Sequence, residues 1–402
     1  MTVYLLATLD TKGTEASFVR DELLRLGVGV SIVDTGCLGT PGILANIPRE
    51  VVFKAAGTTL AAVQARGDRG EAVTQAAAGA AELITRLHAA GNVTGVLGMG
   101  GSAGTTIGTA AMRALPIGIP KLMVSTLASG QVRHYVGDKD VLMLNSVVDI
   151  LGINRISRRI LSQASRAMAG MVKFPPSRAE ADRPLIAATM FGVTTPCVMR
   201  AKEILEQSGY EVLVFHATGN GGRAMESLIA EGLIAGVLDI TTTELADELV
   251  GGILSAGADR LTAAGRAGIP QVISVGALDM VNFGPRDTVP AKFAERQFYQ
   301  HNANVTLMRT TPEENALLGA EIGRKAAAAT GPTCILLPRH GLSAIDKVGQ
   351  PFDDPAAREA AYAAIRAHHG TASLIELPLH INEPAFAEAA AQALLERLPV
   401  LA

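Results

Sequence analysis

The sequence has no tryptophan, and only 10 Phe and 5 Tyr among its 402 residues. So few rings leave no series of platforms for stacking bases, which argues against recognition of single-stranded nucleic acid. An excess of positive charge is missing too: 35 Lys+Arg stand against 38 Asp+Glu, a formal charge of −3. A sequence-independent nucleic-acid surface needs many phosphate-neutralising cations, so that class is set aside as well. Cysteine is scarce. Cys37, Cys197 and Cys334 are odd in number and widely spaced, offering neither a disulfide framework nor a CxxC metal knuckle. They are expected to be small apolar core residues in a reducing compartment. A signal peptide is not expected, because Asp10 and Lys12 interrupt the first apolar run. The longest uncharged stretch, 89–112, is broken by Gly98, Gly100, Gly101 and Gly104 and fails as a lipid-facing helix. A cytoplasmic protein without membrane or nucleic-acid partners is the expectation.

What the chain does have is small apolar residues: 48% of it is hydrophobic, and 42 residues are glycine. At roughly 150 residues per domain its length suggests two domains. Short β-branched runs alternate with longer amphipathic ones. Strands are predicted at 3–8, 29–34, 94–99 and 121–125, and helices at 15–26, 72–89, 102–114 and 144–171. This alternation marks parallel sheets with crossover helices. The segment KFPPSRAEADRP at 173–184 mixes three prolines with five charges and reads as a linker. Beyond it the pattern restarts. LLATLDTKGTEASFVRDELLRLGVGVSIVDTG is echoed by LIAATMFGVTTPCVMRAKEILEQSGYEVLVFHATG, GVL at 95–97 by GVL at 236–238, and GIPKLMVS by GIPQVISV. The fold class read from this is α/β: two doubly wound Rossmann-like units with mainly parallel sheets, related by duplication. The first unit spans 1–172 and the second 185–402. In the second, further strands are predicted at 333–337 and 373–377, and helices at 356–367 and 383–398.

The strongest local signal is VTGVLGMGGSAGTTIGTA at 93–110, where a buried strand runs into glycines and a Thr/Ser-rich helix begins. Glycines let backbone approach an anion, and a helix N-terminus presents unpaired N–H groups and the positive dipole end. Gly100, Gly101, Ser102, Gly104 and Thr105 are therefore candidate phosphate contacts. No GK[ST] follows, so this is not a Walker A loop, and no acidic residue about 20 positions on supports a dinucleotide fingerprint. Three other strand ends fall on the same carboxyl edge. ATLDTKG supplies Thr8, Asp10, Thr11, Lys12 and Gly13, with Asp10 able to hold a metal or ribose hydroxyls; VDTG supplies Asp34, Thr35 and Gly36; STLASG supplies Ser125, Thr126, Ser129 and Gly130.

These motifs, in this order, followed by VGDKD, LPRHGLSAID and GQPFDDP, resemble a family defined by the N-terminal region of the plant tobamovirus-resistance protein. The resemblance covers essentially the whole chain. It implies a two-domain, homodimeric protein whose first domain binds ATP, with Mg²⁺, through the segments just named. It supplies no reaction.

The second unit has an edge of its own. Gly219, Gly221 and Gly222 open a helix, with Arg223 placed for a carboxylate or phosphate. Gly221, Gly222 and Arg223 are thus candidate substrate contacts. His216, Glu244, His340 and Asp346 are candidate acid/base residues on strand-end loops. Two alternatives to nucleotide binding follow: a metabolic enzyme acting on a small carboxylate or keto acid between the domains, or a non-catalytic interaction protein. The cluster Arg155, Arg158, Arg159 and Arg166 reads as a solvated basic helix face that is also within reach of the first crevice or a dimer partner.

Overall fold

A computed structural model describes residues 2–175 and 183–399, so most of the predicted linker lies outside the described residues. The chain divides into two units, Met1–Arg178 and Ala179–Ala402.

In the first unit β1 (Thr2–Ala7), β2 (Gly29–Asp34), β3 (Gly95–Gly100), β4 (Lys121–Ser125) and β5 (Leu142–Asn145) form a parallel sheet in the order β2-β1-β3-β4-β5. Alternate residues of each strand face opposite sides, so an apolar run buries both faces of the sheet. Val3, Leu5, Leu97 and Leu122 pack beneath α1 (Leu9–Arg25) and α7 (Arg155–Lys173). Tyr4, Leu6, Val96 and Met123 pack beneath α2 (Arg49–Ala55), α4 (Arg69–Ala89) and α5 (Ser102–Arg113). Two short helices, α3 (Leu60–Arg66) and α6 (Arg133–Val136), sit in connections.

Helices α2, α3 and α6 are absent from the sequence reading, and two of the predicted helices depart from it. Helix α1 starts at Leu9 rather than at 15, so Ala7 of ATLDTKG ends β1, Thr8 is the N-cap and the remaining five residues open the helix, kinked at Lys12 (φ −125°, ψ 20°). The predicted helix at 144–171 begins instead as edge strand β5, and α7 starts only at Arg155. There Asn154 accepts from the N–H groups of Ile156 and Ser157 in a capping box. An edge strand with one partner and half-exposed residues carries no buried-strand signature, which is why β5 escaped notice.

The second unit's main sheet contains β6 (Leu185–Met190), β7 (Glu211–His216), β8 (Ile234–Thr241), β9 (Gln271–Gly276), β13 (Thr333–Pro338) and β14 (Ser373–Leu377). All are parallel, in the order β14-β13-β9-β8-β6-β7. Numbered within each unit, this is the order of the first sheet with one strand added. Helices α8 (Thr195–Gln207) and α14 (Pro384–Leu395) cover one face. On the other lie α9 (Asn220–Ala230), α10 (Thr243–Val250), α11 (Ala263–Ala267), α12 (Pro312–Ala327) and α13 (Pro355–His368). Between β9 and α12 the chain forms a three-stranded antiparallel sheet absent from the sequence reading: β10 (Met280–Phe283), β11 (Phe298–Asn302) and β12 (Val305–Arg309), ordered β10-β12-β11. The three cysteines are buried and unpaired. Among the described residues no helix is long and apolar enough to cross a membrane.

Candidate functional site

In a doubly wound sheet the helices leave on opposite sides where the strand order reverses, opening a crevice at the carboxyl ends. In the first unit that point lies between β1 and β3, and a cavity of about 250 Å³ occupies it. Thr8, Asp10, Thr11 and Lys12 line it from the start of α1, and Gly101, Ser102 and Gly104 from the start of α5. Cys37 and Leu38, Arg69 and Asp149 complete its polar and loop walls.

The start of α5 is open. Its N-cap, Gly101, offers no side chain, and among the described residues the N–H groups of Ser102, Ala103 and Gly104 meet no protein acceptor. The first such bond inside the turn is Thr105 N–H to Gly101 O, 2.8 Å. By contrast, the start of α1 is already occupied by a carboxylate: Asp34 Oδ1 accepts from Leu9 N (3.1 Å) and Gly36 N (2.8 Å). Burial pushes the Asp34 carboxyl up, and these two donors oppose that.

Asp10 uses Oδ2 to accept from Leu38 N and Gly39 N, both at 3.2 Å, and so pins the loop after β2. The Lys12 ammonium donates to Ile150 O on the loop after β5, which brings Asp149 to the cavity. Arg69, in the first turn of α4, is exposed and adds a second cation.

The other predicted contacts are placed elsewhere. Asp34 and Thr35 are buried behind the cavity, and Gly36 is wedged between the Asp10 and Asp34 carboxyls, 3.0 Å from where its Cβ would stand. Thr105 and Ser125 are fully buried and bonded to each other at 2.6 Å. A Cβ on Gly13 would lie 3.4 Å from Gly42 backbone, while Thr126, Ser129 and Gly130 do not line the cavity. The glycines also divide by role. Added Cβ atoms at Gly100 and Gly104 would come within 2.8 Å of Gly104 Cα and 2.9 Å of Met99 O, so both serve the close packing of α5 on β3. Gly101 has nothing nearer than Thr126 Oγ1 at 3.7 Å. Arg155, Arg158, Arg159 and Arg166 are exposed and none lines the cavity.

No sequence motif marks Leu38, Arg69 or Asp149 as cavity residues. Leu38 lies two residues past the VDTG motif. Arg69 opens a helix whose predicted start was 72. Asp149 falls within 144–171, where the pattern predicts helix, but lies on the loop after β5.

In the second unit the anion-binding geometry is real and already filled. Gly219 N and Gly222 N donate to Glu244 Oε1 at 2.6 and 3.1 Å. A Cβ on Gly222 would stand 2.2 Å from Glu244 Oε2, and one on Gly221 2.0 Å from His216 O. Gly219 and Gly222 thus hold the chain's own carboxylate where substrate contacts were expected of Gly221 and Gly222, and Gly221 abuts the His216 carbonyl. Arg223 is likewise engaged, donating to Ser255 O (2.8 Å) and Asn220 Oδ1 (2.7 Å).

Glu244 also pairs with Arg260 Nε at 2.7 Å, and Arg260 meets Asp239 through two bonds of 2.5 and 2.7 Å. Arg260 is fully buried, and the surrounding carboxylates hold it charged. Asp239 in turn accepts from Thr189 Oγ1 (2.7 Å), so this cluster fills the carboxyl ends of β6 and β8, the second unit's own switch point. Among the described residues no hydrogen bond or ion pair joins the acid/base candidates His216, Glu244, His340 and Asp346 to one another. Glu244 is locked in this cluster, and Asp346 is buried against Arg358 (2.7 Å) and Leu342 N–H (2.9 Å). His340 is exposed, and His216 lies at the surface edge-on to Phe191. Among the described residues no group of three or more His, Cys, Asp or Glu is placed to hold a metal.

Fold and site together define a two-unit doubly wound α/β protein with one open helix N-terminus at a switch point. Residues 1–177 match the N-terminal domain, and residues 183–398 the C-terminal domain, of the Uncharacterised protein family (UPF0261). The chain belongs to that family. It is 48% identical over 398 residues to a UPF0261 protein of Clostridium tetani, covering 98% of each. It is also 41% identical over 427 residues to the ToMV susceptible protein tm-1(GCR26) of Solanum lycopersicum, covering 99% of this chain and 56% of that one. Among solved structures, Acinetobacter baumannii MurG aligns over 98% of this chain and 93% of its own at 14% identity. The TM-score of that alignment is 0.22, too low to carry any argument.

Proposed function

We propose that the first unit binds a nucleoside polyphosphate, ATP in view of the family resemblance, with its phosphates at the start of α5. The observation that carries this reading is the open α5 N-terminus in a cavity that Lys12 and Arg69 also line. The corresponding positions at α1 and α9 are filled by Asp34 and Glu244. Unpaired N–H groups with a positive dipole end and two cations suit a phosphate chain. Asp10 and Asp149 line the same cavity, and Mg²⁺ characteristically takes one or two carboxylates and completes its shell with phosphate oxygens and water. No histidine lines the cavity, and Asp10 is already engaged by two N–H groups, which favours binding over rapid turnover. The same reading takes the protein as a cytoplasmic homodimer.

Melting in the presence of Mg·ATP tests it. A ligand at 100 times its Kd adds about 2.7 kcal/mol, a rise of about 5–10 °C for a unit of this size. Gly101→Val should abolish the rise while the ligand-free melting temperature stays close to that of the parent, since no backbone crowds that Cβ. The absence of any shift with millimolar ATP, ADP or GTP would falsify the reading.

A further inference from the structure

A second cavity, of about 300 Å³, adjoins the first and shares Cys37 and Leu38 with it. The two follow one another along the start of α4: Arg69 and Val73 line the first, Asp68 and Ala72 the second, with Val63 and Gln64 of α3 opposite. Their chemistry differs. The first is lined by Lys12, Arg69 and the open start of α5, whereas the sole ionisable side chain lining the second, apart from the shared Cys37 thiol, is Asp68. Burial pushes that thiol up to about 11, so it is neutral.

The shared wall is preformed. Gln64 Nε2 donates to Cys37 O and Leu38 O, both at 3.2 Å; Asp10 holds Leu38 N and Gly39 N; and Arg49 Nη1 donates to Gly39 O at 2.6 Å. A phosphate chain is repelled from a cavity whose charge is a carboxylate. A neutral group that donates hydrogen bonds and has apolar faces fits one with Val63 and Ala72 as walls and Asp68 and Gln64 as acceptors.

We infer that the second cavity is the nucleoside subsite, with base or sugar donors turned to Asp68 and the Cys37–Leu38 wall separating nucleoside from phosphates. This rests on the nucleotide reading above and adds the part of the ligand that the α5 site leaves unread. It also accounts for the size of the first cavity, which by itself falls below the roughly 300–1,000 Å³ of common ligand pockets.

The test compares Mg·ATP with inorganic tripolyphosphate by titration calorimetry on the full chain. Asp68→Asn keeps an N-cap for α4, where Asp68 now accepts from Glu71 N, and removes the charge. The inference expects this variant to weaken ATP by about tenfold and to leave tripolyphosphate unchanged or tighter. Hydrogen exchange gives a readout free of any variant: ATP should slow the amides of residues 60–68, and tripolyphosphate should not. Equal changes for both ligands, or equal protection by both, overturn the inference while the phosphate site stands. Failure of both ligands to bind the parent protein overturns the nucleotide reading and this inference with it.

Discussion

Single residues decide which glycines matter for ligand and which for packing. Gly101 and Gly104 sit three apart in one motif, yet a methyl at 104 would press on Met99 O at 2.9 Å, and a methyl at 101 would meet only a hydroxyl at 3.7 Å. Gly104→Ala should therefore cost about 1–3 kcal/mol, and Gly101→Ala less than about 0.5 kcal/mol, measured by urea unfolding. Two buried acids in the second unit set a pH dependence. Burial pushes Asp247 up to about 7 against bonds from Asn282 N–H and its side-chain amide, and Asp279 up to about 7 beside Asp346. Their folded-state values exceed the unfolded ones, so the protonated form is favoured in the fold. The stability this lends is present at acid pH and is lost as pH rises from about 4 through 7. Asp247→Asn should remove its share. The difference in unfolding free energy between variant and parent, from urea unfolding, should widen in the variant's favour from pH 5 to pH 8 by on the order of 2–3 kcal/mol. A constant gap means that Asp247 ionises freely.

At the scale of elements, the starts of helices carry the functional contrast. The three turns opening α1, α5 and α9 all follow parallel strands, and two of them close on Asp34 and Glu244. Glu244 holds two amides and a fully buried guanidinium, so Glu244→Ala should destabilise the chain by about 3–5 kcal/mol, because Gly219 N, Gly222 N and Arg260 Nε lose their buried acceptor while Asp239 alone keeps the bidentate pair with Arg260. Acetate or phosphate should restore part of the loss, seen as a rise in melting temperature that the parent does not show. How legible these turns were depends on what fills them. The glycine spacing at 98–104 and 219–222 reads as backbone open to an anion. Whether that anion is a ligand or Glu244 depends on a residue 22 to 25 positions away on another helix, which local pattern does not reveal. Strands buried on both faces, such as β3 and β4, are legible because their runs hold almost no polar residue; β5 and the β10–β12 sheet, at edges or paired over long range, are not.

Across the whole molecule, two units share one strand order and have taken opposite courses. The first keeps its switch point open as a cavity, and the second fills its own with Arg260 and the carboxylates of Glu226, Asp239 and Glu244. Ligand protection should be correspondingly one-sided. With Mg·ATP, hydrogen exchange should slow at residues 8–12 and 101–104 and stay unchanged at 219–222; slowing at the second set instead would place the anion in the wrong unit. Composition and periodicity by themselves determined the α/β class, the repeated unit, most strand positions and two glycine-rich turn geometries, because these follow from local apolar alternation and backbone sterics. Only the tertiary structure decided which geometry is vacant of protein groups, since that turns on where distant side chains such as Asp34, Glu244 and Arg260 come to rest when the helices pack.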